Sequence, residues 1–205
     1  MAISRFKDLC IDVLDPVLLG GFWAEALGLR WSLHGNGEGD LSGASEEQRI
    51  WVNRVPEPKT VPHRVRWDVL SPGAPGAAEL TDPEGGEFRA LPIAGSPSYR
   101  LHALVVDSVD PAAQARWWGG VYGARAVRAE DGHHELRDIP GAPFFMVFRA
   151  SSEPKTVKNR IHWDVTGDPQ PLINAGASLL RPQDGEIRWT VLADPEGNEF
   201  CAFLP

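Results

Sequence analysis

Two cysteines, Cys10 and Cys201, are all that the 205 residues contain. They stand far apart, each inside an apolar, strand-like run, which excludes a disulfide framework and a zinc-spaced pair and predicts buried, reduced thiols. Basic clusters are just as scarce. Twenty Lys and Arg against 28 Asp and Glu leave a formal charge of -8, and no stretch gathers cations as phosphate binding requires, so neither nucleic acid nor an acidic membrane is an expected partner. Met1 through Asp8 alternates polar and apolar residues, and no run is long enough for a signal peptide or a membrane span, which predicts a cytoplasmic location. A phosphate-cradling glycine loop and a nucleophile elbow are also missing.

What is present is a duplicated pattern. A hydrophobic share of 42 % supports a real core, and the length suits two domains of about a hundred residues each. Cys10-Ile-Asp-Val-Leu-Asp-Pro, Phe22-Trp23 and Leu27-Gly28 match Val105-Val-Asp-Ser-Val-Asp-Pro, Trp117-Trp118 and Tyr122-Gly123 at an offset of 95. Glu57-Pro-Lys-Thr-Val and Arg64-Val-Arg-Trp-Asp-Val match Glu153-Pro-Lys-Thr-Val and Arg160-Ile-His-Trp-Asp-Val at an offset of 96. Asp82-Pro-Glu-Gly-Gly-Glu-Phe and Asp194-Pro-Glu-Gly-Asn-Glu-Phe lie 112 apart, sixteen more than 96, so the first copy is the shorter. The missing part corresponds to Asp168 through Asp184, a helix and a strand, for which Ser71 to Ala78 substitutes. Such self-similarity fixes architecture before any local detail.

Each copy opens with a β-rich run followed by Asp-Pro and an amphipathic segment ending at Gly. Asp15 and Asp110 suit a helix N-cap, Pro16 and Pro111 the first helical position, and Gly28 and Gly123 the stop. Trp23 and Trp118 fall on the apolar face of these helices and are expected to pack helix on sheet. Short strands with hairpin turns follow, so each copy reads as two βαβββ units side by side, curling into a cup. The Asp-Pro-Glu-Gly segments read as turns. Asp12 and Asp107 recur just ahead of the caps, where bonds to the nearby backbone account for them.

These motifs, in this order and occurring twice, resemble the vicinal-oxygen-chelate (glyoxalase/bleomycin resistance/dioxygenase) superfamily, in its glyoxalase-like domain branch. The resemblance implies an α+β fold of tandem glyoxalase-like domains built from paired βαβββ modules with curved mixed sheets. The first, truncated in its second module, is placed at 1–95 and the second, complete, at 99–205. It also implies a small-molecule ligand in the cup and a monomer or homodimer.

In that superfamily the cup commonly holds a divalent metal, and the matching positions are His162 and Glu199. They are the candidate metal ligands, for Zn, Ni, Mn or Fe in the second domain only, and the candidate catalytic base and acid. His162 and Asp164, two apart on a strand, share a face, with Trp163 on the other; Asp164, Trp163, Trp189 and Asp107 are the candidate ligand-binding residues. A hydrogen-bonded His162 and Glu199, paired with each other or with Arg160, would account for both without a metal. The equivalents in the first copy are Cys10, Arg66 and Glu87, and a guanidinium repels a cation; Val105 offers no ligand, and His102, five residues before Asp107, is expected on the other face. His133 and His134 sit by a turn and are expected in solvent. Only two ligands of the usual three are therefore visible, and the third is not identified. The count favours a protein that binds a small organic ligand in the cup, sequestering it as drug-resistance members do or acting on it by metal-independent chemistry. The alternative is a divalent-metal-dependent lyase, isomerase or dioxygenase acting on a small oxygenated metabolite.

Overall fold

The computed structural model describes residues 2–205 and resolves the duplicated pattern into four modules. The first comprises β1 (Arg5–Val13), α1 (Pro16–Leu27), β2 (Arg30–Leu33), β3 (Gly39–Ser42) and β4 (Ile50–Arg54); the second has only β5 (Val65–Pro72), β6 (Ala78–Thr81) and β7 (Glu87–Ile93). The third comprises β8 (Leu101–Ser108), α2 (Pro111–Tyr122), β9 (Arg125–Arg128), β10 (His134–Arg137) and β11 (Phe145–Ala150). The fourth is β12 (Ile161–Thr166), α3 (Pro169–Asn174), β13 (Ser178–Arg181), β14 (Thr190–Ala193) and β15 (Glu199–Phe203). The missing residues are thus the counterparts of α3 and β13, which the second module does without.

The local signals act as their chemistry dictates. Asp15 accepts hydrogen bonds from the N–H groups of Val17 and Leu18, Asp110 from that of Ala113, and Gly28 and Gly123 end the two long helices in the left-handed conformation. At Gly28 (φ +73°) a Cβ would also meet the carbonyl oxygen of Ser98, so only glycine fits there.

The strands assemble across the copies. One sheet runs β13-β14-β15-β12-β1-β4-β3-β2 and the other β6-β7-β5-β8-β11-β10-β9. Each therefore takes one module from each copy, joined by the antiparallel pairs β1 with β12 and β5 with β8. Two modules of the same copy do not share a sheet, contrary to the expectation of one cup per copy. What each copy does share is aromatic packing behind the sheets. Trp23 of α1 lies edge-on to Trp67 and Phe88, and Trp118 of α2 to Trp163 and Phe200. All six rings belong to one core that spans both copies, and burying rings of this size is a main source of the stability.

Candidate functional site

The concave faces of the two sheets differ in chemistry. In the seven-stranded sheet Ala103, Val105 and Val147 form a small apolar cluster backed by Phe145, flanked by the ion pairs Arg66–Asp107 and Arg89–Asp68. It offers no set of metal donors. In the eight-stranded sheet β1, β12 and β15 carry Asp8, Cys10, Asp12, His162, Asp164, Glu199 and Cys201, polar or ionisable groups turned away from the aromatic core. The two-residue period of a strand puts them on one side. Cys10 stands directly opposite His162, and Asp8 opposite Asp164.

Very little water reaches this row. Asp8 is 4 % exposed, Asp164 3 % and His162 8 %. Burial, and then Asp8 across the ladder, pushes the Asp164 carboxyl well above the usual carboxylate range. Burial also pushes the Cys10 thiol up, assisted by Asp164 and Asp8, and raises Cys201, assisted by Asp164. His162 is held below its ordinary value by burial, against the pull of Asp12. Lys7 pairs with Asp8 at 2.6 Å, Trp51 donates to Asp8 at 3.0 Å, and Cys10 Sγ donates to Asp164 Oδ2 at 3.6 Å. Asp8 Oδ1, Asp164 Oδ1 and His162 Nδ1 are buried without a hydrogen-bond partner.

His162 and Glu199 lie near each other but do not make the pair anticipated for a metal. Both oxygens of Glu199 are engaged, one by the ammonium of Lys155 and the other by the N–H of Asn159 at 3.2 Å. His162 bonds to neither Glu199 nor Arg160, whose guanidinium instead reaches the carbonyl of Glu57. Two donors, one of them already neutralised by a lysine, do not fit the metal that the resemblance implies.

The other candidates are dispersed. Asp164 is in the row beside His162. Trp163 is not in a ligand wall: it is 1 % exposed and packed on Trp118 in the core, as the strand period requires. Trp189 stacks near Phe203, 5.4 Å between ring centres, with Lys7 on the same ring, at the opposite end of the strands from Asp12. Asp107 belongs to the other sheet and is gripped by both terminal nitrogens of Arg66, at 2.8 and 2.9 Å. His102 does not turn away from the concave side. A bulge at Asp68/Val69 shifts the ladder and sets its ring edge-on to Phe145, 4.8 Å away. His133 and His134 are half-buried on and beside β10 rather than free in solvent.

A cavity of about 550 Å³ lies between the two copies of Glu-Pro-Lys-Thr-Val, with Asp12 and Asp107 also lining it. Pro58, Val61, Pro154 and Val157 supply apolar wall. Five Lys or Arg (Lys59, Arg64, Lys155, Lys158, Arg160) line it with four carboxylates (Asp12, Glu57, Asp107, Glu153), and Glu87, Glu196 and Glu199 outside the lining hold three of those cations in ion pairs. Lys59 pairs with Glu87 at 2.7 Å, Lys155 with Glu199 and Lys158 with Asp12, the same lysine-on-carboxylate arrangement in both halves. Arg64 donates to the carbonyl of Glu153 at 2.9 Å and Arg160 to that of Glu57, so each loop is tied by the other copy's arginine. The duplicated motif is plain in the sequence, but that its copies meet follows only from the cross-copy sheets.

The family model described as Glyoxalase-like domain matches residues 8–81 and 103–203. No curated protein matches. Among solved structures, glyoxalase I from Zea mays superposes with a TM-score of 0.68 at 12 % identity, covering 97 % of this chain and 92 % of that one. A putative dioxygenase from Bacillus subtilis subsp. subtilis str. 168 superposes with a TM-score of 0.66 at 13 % identity, covering 99 % and 86 %. Among the described residues no helix is long and apolar enough to cross a membrane.

Proposed function

Because the chain belongs to the glyoxalase-like domain family, we propose that it captures a small organic anion in the chamber between its two Glu-Pro-Lys-Thr-Val loops, without a metal. The observation that carries this reading is the chamber itself, walled twice by one motif and lined by five cationic side chains. Its volume falls in the range of small-molecule sites, about 300–1,000 Å³. Prolines and valines suit the apolar body of a guest, while the lysines and arginines suit its carboxylate. Lys155 occupies the Glu199 carboxylate that a metal would otherwise use, which supports capture without the ion.

The test is a thermal-shift and calorimetric screen of small carboxylates against chelator-treated protein. A guest at about a hundred times its Kd stabilises by about 2.7 kcal/mol, and at about 2–4 °C per kcal/mol the shift is several degrees. A Lys59→Ala/Lys155→Ala variant is expected to lose that shift. Shifts that appear only after a divalent metal is restored would favour the metal-dependent lyase, isomerase or dioxygenase reading, and no shift with any carboxylate would defeat the proposal.

A further inference from the structure

We propose that Arg160 is the anchor of the chamber: its guanidinium takes the carboxylate of the guest, which is accordingly a monocarboxylate with an apolar remainder, seated one way round. This rests on the reading of the chamber as an anion site and goes beyond it by assigning the carboxylate to one end. Of the five cationic side chains in the lining, four already have carboxylate partners. Lys59 is held by Glu87, Lys155 by Glu199, Lys158 by Asp12 and Arg64 by Glu196. Among the described residues Arg160 forms no ion pair, and its bond goes to the carbonyl of Glu57. Of the acidic groups in the lining, Asp12 and Asp107 are answered by Lys158 and Arg66, while Glu57 and Glu153 are exposed to water.

The difference between the two arginines comes from the turns. Glu196 accepts from the N–H groups of Val109 and Asp110 and also pairs with Arg64 at 2.8 Å. Its counterpart Glu84 accepts from Leu14 and Asp15 and makes no pair with Arg160. The duplication therefore supplies two equivalent guanidiniums, one neutralised and one left for an incoming anion. A second observation agrees. Arg160 Nη1 is buried without a hydrogen-bond partner, and so is Nδ1 of His63, another chamber residue, whose protonation Arg160 is near enough to oppose. Arg64 Nε also lacks a partner, but its charge is met by Glu196. Buried polar atoms are nearly always satisfied, and a planar guanidinium with donors to spare matches a carboxylate in two parallel bonds. The lysines have a supporting part, because they cover Glu87 and Glu199, which would otherwise repel the guest.

Calorimetry on the chelator-treated full-length protein, with octanoate, octanamide and suberate as probes, tests the assignment. Octanoate is expected to bind at least about tenfold more tightly than octanamide, the effect of a hydrogen bond to a charged group, and suberate to gain nothing from its second carboxylate. Arg160→Gln should erase the preference for octanoate over octanamide. Arg160→Lys should keep part of it, because the charge remains without the fork. Arg64→Gln, which removes the other loop tie but no unpaired charge, should lose clearly less than Arg160→Gln. Suberate clearly tighter than octanoate would reveal two anchors and overturn the proposal. So would equal losses in Arg64→Gln and Arg160→Gln, or a preference that survives Arg160→Gln. Octanoate that fails to bind the wild type overturns the anchor too, whereas the chamber reading falls only if every carboxylate in the screen fails. Circular dichroism and melting of each variant separate loss of the anchor from loss of the fold, and the three-probe comparison on the wild type needs no variant.

Discussion

In the chamber wall, the backbone N–H of His63 donates to Glu87 at 2.9 Å, and burial lowers the His63 imidazole to about 4 against the weaker upward pull of Glu87. The unfolded chain takes up that proton near 6.5, and the folded one only near 4. Between these values the unfolded state binds more protons, so stability falls as pH drops through the window, by at most about 3 kcal/mol from this one group. Urea midpoints at pH 7 and pH 4.5 should show that decline in the wild type and a smaller one in His63→Gln; equal declines would mean that other groups carry it. At this scale the sequence tells part of the site. The shared face of His162 and Asp164 follows from strand period alone, whereas Cys10 as their neighbour depends on a ladder between residues more than 150 apart, for which no local pattern exists.

Turns and helices cooperate through the two Asp-Pro-Glu-Gly segments. Asp194 is buried and accepts from the backbone of Glu196 and Asn198, from the Asn198 amide, from Trp118 Nε1 at 3.2 Å and from Gln114 Nε2 at 2.8 Å. Its counterpart Asp82 accepts from Glu84 and Gly86, both backbone. Removing an acceptor strands its buried donors, so Asp194→Ala is expected to cost about 3 kcal/mol or more and Asp82→Ala clearly less, measured by denaturant unfolding. Equal losses would show that the tie from the turn to α2 contributes nothing. Glu196 extends this tie by accepting from the N–H groups of Val109 and Asp110, as Glu84 does from Leu14 and Asp15. Helix limits were readable because the Asp side-chain cap, the Pro start and the Gly stop each act within a few residues of themselves. The bulge that redirects His102 was not, since it arises from pairing with β5.

Across the molecule, two ways of dividing the chain compete. Core packing groups Trp23 with Trp67 and Trp118 with Trp163, copy by copy, while hydrogen bonding joins β1 to β12 and β5 to β8, copy to copy. Cutting the chain between the copies would expose four strand edges that the intact protein keeps paired. Residues 1–95 and 99–205 produced separately are therefore expected to show no cooperative melt, and to regain one when mixed; a sharp transition in either half alone would contradict this. The duplication was evident from matching motifs, but sequence similarity marks common origin and not which modules end up side by side.

The reciprocal grip of Arg64 on one loop and Arg160 on the other ties the chamber's rim across the duplication. Lifting the Glu153 loop breaks a bond to a side chain of the first copy, and lifting the Glu57 loop breaks one to a side chain of the second, so the cost of opening either wall is borne by the opposite half of the chain.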